Sequence, residues 1–211
     1  MLFGSISYLN LLPFQLFLKR YIQNSASKMA FRYNRAVPSK INKALKTNKV
    51  NGAFISSIES KKCKCTDIGI IAKGSVYSVF ALPNQSGDDP ASATSNHLAK
   101  VLDIKGKILI GDKALKYYLD GGEGIDLAQE WYNKTKLPFV FARLCYNKHD
   151  KYIKRLAKRF QHSHIKIPQY ILKKEAKKRG ITPKQLQWYL EHIHYDIDYK
   201  AKRSLKKFLI A

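Results

Sequence analysis

The sequence of 211 residues predicts an α/β fold with mostly parallel strands. Three observations predict it. Apolar, β-branched runs alternate with helix-period segments as far as Leu144. Several of those runs pass straight into a helix start that carries a hydroxyl or an amide. Beyond Lys148 only helices are legible.

The first stretch, MLFGSISYLNLLPFQ, is the one around which the rest is organised. Leu2, Phe3, Ile6 and Tyr8 are strand formers, and Gly4 and Ser5 let a neighbouring backbone approach. Asn10 falls where a helix N-cap belongs, and Pro13 lies in the first helical turn, where its missing N–H costs nothing. Asn10 is then either a cap or a polar group at the carboxyl end of a strand, where open α/β sheets bind ligands. Residues 28–33 read as a short strand, and Val37-Pro38-Ser39 opens a helix through Leu45. Residues 50–55 are a buried strand followed at once by Ser56-Ser57-Ile58-Glu59. Ser56 and Glu59 fit a capping box, yet hydroxyls at a helix start also suit an anion.

Residues 67–72 and 75–82 are two more strands, joined at Lys73-Gly74. Residues 84–90 are a loop dense in turn formers. Ser92-Ala93-Thr94-Ser95 opens a helix running to Leu102, and residues 107–111 form a strand that ends at Gly111-Asp112. Helices follow over 113–118 and 125–136, then the last strand over 139–144. The helical tail comprises 152–160, 168–179, 183–192 and 201–209, with Thr182 and Gln185 forming a capping box around Pro183.

The formal charge is +24, from 39 Lys and Arg against 15 Asp and Glu. Such a surface suits nucleic acid, anionic membranes or small anionic substrates. In the tail, however, the basic residues alternate with apolar ones at helical spacing, as on the solvated faces of amphipathic helices. No nucleic-acid or membrane partner is therefore expected. No run approaches the ~20 apolar residues of a membrane span, and no secretory signal is legible. Cys63, Cys65 and Cys145 lack zinc spacing, which predicts a reducing compartment and no structural disulfide. The pairs His162/His164 and His192/His194 are two apart and face different sides of a helix, so no metal site is expected. There is no GxSxG, P-loop or GxGxxG, and Gly121-Gly122-Glu123-Gly124 follows a helix rather than a strand.

What remains is a convergence. Asn10, Ser56, Ser57, Thr94, Ser95, Gly111 and Asp112 all fall at junctions that lead into helices. Neutral donors gathered at helix starts describe a site for a small carboxylate.

An ordered set of motifs adds to this reading: Gly4-x-Ile6-x-Tyr8-Leu9-Asn10-x-Leu12-Pro13, Val37-Pro38-Ser39, Ile55-Ser56-Ser57-Ile58-Glu59, Val76-Tyr77-Ser78-Val79, Ser92-x-Thr94-Ser95, Ile110-Gly111-Asp112-Lys113-Ala114-Leu115, and Asp126-Leu127 through Glu130-Trp131 to Leu137-Pro138-Phe139. Together they resemble the MqnA chorismate dehydratases of the futalosine route to menaquinone. The resemblance implies a two-lobed fold like the type II periplasmic binding proteins, with the ligand in the central cleft, and a cytoplasmic enzyme without metal or organic cofactor. It implies lobes of 1–77 plus 147–211 and of 78–146, the second small because only Asp103-Ile104-Lys105-Gly106 separates its helix from the next strand. Asn10 and Ser78 match the catalytic positions, and Tyr8, Ser56, Ser57, Ser92, Thr94, Ser95, Gly111 and Asp112 the substrate contacts.

The implied reaction removes C3–H and the C4 hydroxyl of chorismate to give 3-[(1-carboxyvinyl)oxy]benzoate. Aromatisation drives it, so the protein mainly orients and polarises. An amide does not titrate near pH 7, so Asn10 is suited to hold the C4 hydroxyl or enolpyruvyl group while the substrate's own carboxylate takes the proton. Two alternatives remain. One is the sister 1,4-dihydroxy-6-naphthoate synthase, for which only His97 and His149 offer a histidine. The other is a binding protein for small carboxylates without turnover.

Overall fold

The computed structural model describes residues 1–22, 32–83, 85 and 87–211. The opening apolar run forms β1 (Leu2–Ser5), and a 3-10 turn at Leu9–Leu11 leads into α1 (Leu12–Tyr21). Of the strand expected at 28–33, residues 28–31 lie outside the described residues, and β2 spans Arg32–Arg35. Helix α2 (Pro38–Lys46) buries Pro38, Ile41, Asn42 and Leu45, one face at i, i+3, i+4 and i+7, and returns to β3 (Gly52–Ser56). A 3-10 turn at Ile58–Ser60 precedes β4 (Lys64–Ala72). Then come β5 (Val79–Leu82), α3 (Ala93–Leu102), β6 (Lys107–Ile110), α4 (Gly111–Leu119), β7 (Ile125–Asp126) and α5 (Leu127–Thr135). The chain ends with β8 (Phe139–Tyr146), α6 (Asp150–Gln161), α7 (Gln169–Lys177), α8 (Pro183–Glu191), β9 (His194–Asp196) and α9 (Tyr199–Ile210).

Two sheets are present among the described residues. The larger has the order β2-β1-β3-β8-β4-β9 and the smaller β6-β5-β7. The expectation of mostly parallel pairing is corrected: among the named strands, β1 pairs in parallel with β2 and with β3, and the other pairs are antiparallel. Because β3 and β4 both run antiparallel to the β8 between them, β1 to β4 nevertheless point the same way. Their carboxyl ends therefore share one edge, and that edge faces the smaller sheet.

β8 belongs to the larger sheet, and Lys136-Leu137-Pro138 leads into it from α5. Two further expectations are corrected. The tail is not wholly helical, because His194–Asp196 adds an edge strand, too short for a period-two pattern to be read. Cys65 and Cys145 are joined by a disulfide across β4 and β8. Eighty residues separate them in sequence, and only the strand register sets them opposite each other.

Phe14 anchors the first lobe. It is fully buried, stacks on Phe3 with ring centroids 5.9 Å apart, and meets Phe54 and Phe160 edge-on at 4.9 and 5.1 Å. One ring thus ties α1 to β1, β3 and α6, fixing the short segment between Ser5 and Leu12. No described helix is long and apolar enough to cross a membrane.

Candidate active site

The aligned strand ends enclose a cavity of about 70 Å³, lined by Tyr8, Asn10, Ser56, Ser78, Ser92, Ser95 and Gly111 with apolar Ile6, Leu11, Ile70, Val76 and Phe141. Small-molecule sites usually hold ~300 Å³ or more, so this cavity is smaller than such a ligand requires. A larger groove of about 740 Å³ opens between α1 and α7, but it contains none of Asn10, Ser56, Ser78 or Ser95.

Asn10 caps nothing. The residue at the N-cap of α1 is Leu11, no side chain bonds to that helix start, and the Asn10 Oδ1 is buried without a partner. A buried amide oxygen left unpaired costs roughly 1–3 kcal/mol. Its own carbonyl is held by the Tyr195 hydroxyl at 2.7 Å, a phenol that burial keeps well above its ordinary pKa and hence protonated.

Three serine hydroxyls are oriented by what stands behind them. Ser56 Oγ accepts from Asn42 Nδ2 at 3.0 Å, while its N–H donates to Asn42 Oδ1 at 3.1 Å. Ser78 Oγ accepts from the Tyr189 hydroxyl at 3.0 Å, whose pKa burial also raises. Ser95 Oγ accepts from Ser92 Oγ at 2.8 Å, and Ser92 Oγ in turn caps α3 by accepting from the Ser95 N–H at 3.1 Å. Each of Ser56, Ser78 and Ser95 thus accepts one hydrogen bond from the protein and has its proton left to donate. All three are buried, Ser78 and Ser95 at 2% exposure. The Ser56–Glu59 capping box is not formed. The 3-10 turn starts from Ser57 with no side-chain cap, and Glu59 instead pairs with Lys46.

Three expected contacts are absorbed by the fold. Ser57 is wholly buried and donates to the Val140 carbonyl at 2.6 Å. Thr94 Oγ1 accepts from the Ile58 N–H at 3.3 Å. Asp112 accepts from the Leu9 N–H and from Arg179 Nε, each at 2.9 Å. None of the three lines the cavity. Burial raises the Asp112 carboxyl, against the opposing pull of these two donors. Gly111 has φ +68°, and a Cβ there would lie 2.9 Å from the Tyr8 ring, so glycine is required by both conformation and packing. The Tyr8 phenol is pushed up to about 12, first by burial and then by Asp89 and Asp112.

The segment between β4 and β5, residues 73–78, carries its own fastening. Asp126 Oδ2 accepts from the N–H groups of Val76 and Tyr77 at 2.9 and 2.8 Å, while Oδ1 caps α5 through Ala128 and Gln129. Tyr77 sits in the left-handed region at φ +57°, packed on Trp188, His192 and Tyr118. Asn42, Tyr189, Tyr195 and Asp126 were not singled out from sequence as site residues. Asn42 left a signal: it is the polar residue on the otherwise apolar face of α2.

His97 packs on Phe208, and His149 precedes α6; neither lines the cavity. No cluster of three potential metal ligands occurs among the described residues.

A family model described as menaquinone biosynthesis matches residues 96–210, more than half of the chain. A chorismate dehydratase from Campylobacter jejuni subsp. jejuni serotype O:23/36 (strain 81-176) is 48% identical, covering 100% of this chain and 97% of its own. Among solved structures, a protein from Archaeoglobus fulgidus superposes with TM-score 0.68 at 12% identity, covering 98% of this chain and 94% of its own. The periplasmic aliphatic sulphonate binding protein SsuA from Escherichia coli gives 0.57 at 11% identity, covering 100% and 85%. The two structures establish a two-lobed, periplasmic-binding-protein-like fold. With full-length identity of 48% to one member, the chain belongs to the chorismate dehydratase family of menaquinone biosynthesis.

Proposed function

We propose that this protein is a chorismate dehydratase, a hydro-lyase of the cytoplasm that converts chorismate to 3-[(1-carboxyvinyl)oxy]benzoate and water. The observation that carries the reading is the polarity of the cleft. Ser56, Ser78 and Ser95 present hydroxyl protons, suited to carboxylates, while Asn10 offers an unpaired acceptor, suited to a substrate hydroxyl. Among the described residues the cavity wall has no His, Asp, Glu, Lys or Arg, and burial pushes its one phenol, Tyr8, up to about 12. A side-chain base working near neutrality is therefore missing from the wall.

The chemistry follows from that lack. Ser56, Ser95 and Ser78 hold the carboxylates, with Asn10 Oδ1 accepting from the C4 hydroxyl. The enolpyruvyl carboxylate of the substrate removes the C3 proton, and the electron pair spreads onto the ring carboxylate, where fixed donors stabilise the developing charge. The C4–O bond then breaks, the ring becomes aromatic, and the departing hydroxyl takes the proton back from the carboxyl group to leave as water.

We further propose lobes of 1–77 with 139–211 and of 78–138, hinged at the two crossings. A closed cleft of about 70 Å³ requires them to part before substrate enters. Purified protein incubated with chorismate and followed by proton NMR is expected to yield a 1,3-disubstituted aromatic ring that retains the enolpyruvyl methylene. Binding of chorismate without conversion would favour the carboxylate-binding alternative, and neither binding nor conversion would sink the reading.

A further inference from the structure

Arg179 lies just beyond α7, outside the cavity wall, yet its guanidinium reaches three different segments. Nε donates to Asp112 Oδ2 at 2.9 Å, Nη2 to the Ser7 carbonyl at 2.7 Å, and Nη1 to Glu175 of α7. Asp112 stands in the first turn of α4, in the second lobe, and its other oxygen accepts from the Leu9 N–H at 2.9 Å. Ser7, Leu9, Asp112 and Arg179 thus close a ring of hydrogen bonds around the segment that ends in Asn10. The side chains of Arg179, Asp112 and Glu175 are only 17–19% exposed, which distinguishes them from the solvated pairs Lys116–Asp120 and Lys202–Asp67.

We propose that Arg179 and Asp112 form the clasp that holds the second lobe closed over the cleft. Arg179 is a positioning residue: it fixes Ser7 directly and Leu9 through Asp112, and so sets where Asn10 presents its amide. The second lobe cannot swing away from the Tyr8–Leu9 backbone without breaking the Asp112 bonds to Leu9 and Arg179. The same motion lifts Gly111 off the Tyr8 ring. The clasp therefore couples opening of the cleft to release of the segment that carries Asn10. Charge-assisted bonds in a partly buried setting suit that task, being strong when formed and exchangeable for water when parted.

Two readouts test this, and only the second rests on the dehydratase reading. The first is hydrogen exchange at the Leu9 amide in the ligand-free protein. Arg179→Ala is expected to speed that exchange by about tenfold or more, because local opening no longer breaks the ion pair. Lys202→Ala, which breaks the exposed pair with Asp67 and touches no member of the clasp, is expected to leave it unchanged. The second is turnover of chorismate. Arg179→Ala is expected to lower kcat by about tenfold to a hundredfold in folded protein, the scale on which misplacing a reacting group by an ångström acts. Arg179→Lys keeps the charge but cannot reach three partners, and should fall between; it also serves if the alanine variant does not fold. Wild-type Leu9 exchange in folded Arg179→Ala or Arg179→Lys would overturn the clasp, whether or not chorismate is consumed. Faster exchange with undiminished kcat would overturn the positioning role.

Discussion

Gly111→Ala offers a perturbation whose consequences can be worked out beside an internal control. Gly111 and Gly121 both have positive φ, +68° and +89°. Alanine at either position pays roughly 1–2 kcal/mol for a left-handed backbone, lowering Tm by about 2–8 °C in a chain of this size. The surroundings separate the two. Nothing lies within 4 Å of a Cβ at Gly121, whereas a Cβ at Gly111 meets three atoms of the Tyr8 ring at 2.9, 3.0 and 3.1 Å. Tyr8 must then give way, at an overpacking cost of about 1–3 kcal/mol more. Its displacement moves the wall of the cleft beside Asn10. Gly111→Ala is therefore expected to melt several degrees below Gly121→Ala and to lose about tenfold or more in kcat/KM, while Gly121→Ala keeps full activity. Thermal denaturation and chorismate consumption by both proteins decide the matter. Equal Tm and equal activity in the two variants would refute the argument that the Tyr8–Gly111 contact shapes the site.

Other outcomes follow from the same geometry. Asp126→Ala strands the N–H groups of Val76, Tyr77, Ala128 and Gln129 and is expected to cost about 3 kcal/mol or more in urea unfolding; a loss under about 1 kcal/mol would contradict it. Asn42→Ala removes both side-chain hydrogen bonds to Ser56 and should raise KM by about tenfold with little change in secondary structure by circular dichroism; an unchanged KM would show that Ser56 needs no such backing. Burial, with Lys73 and His192 adding to it, holds His194 below its ordinary 6.5. The folded protein thus takes up that proton later than the unfolded chain. Stability is expected to be full above pH 6.5 and to fall as acidification passes through the depressed folded pKa. His194→Gln should flatten that decline, and identical pH curves for the two proteins would refute the assignment.

The order of helices and strands was largely legible, because each long amphipathic or apolar run carries its own period. Residues 38–46, for example, keep Pro38, Ile41 and Leu45 on one face. Of the residues singled out from sequence, Tyr8, Asn10, Ser56, Ser78, Ser92, Ser95 and Gly111 meet at one cavity, which is where the proposed site lies. The sheet that brings them together is not the parallel one expected: β1 to β4 share a direction, but β8 runs against them between β3 and β4. What was not legible depends on long-range partners. Ser57, Thr94 and Asp112 sit at the right junctions yet turn to Val140, Ile58, Leu9 and Arg179. Local sequence cannot say whether a hydroxyl faces a ligand or a carbonyl 83 residues away. Tyr189 and Tyr195 reach Ser78 and Asn10 across 111 and 185 residues. The Cys65–Cys145 bond depends on strand register in the same way.

The most direct measurement compares chorismate turnover and melting temperature for the wild type, Asn10→Ala and Asn10→Asp. Asn10 makes no cap and leaves a buried oxygen unpaired, so Asn10→Ala should melt within a few degrees of the wild type. Turnover should fall by roughly two orders of magnitude, as when a preorganised polar contact is lost. Asn10→Asp should be at least as impaired, because it sets a negative charge against a dianionic substrate. Near-normal dehydration of chorismate by either folded variant would contradict the account of how this cleft works.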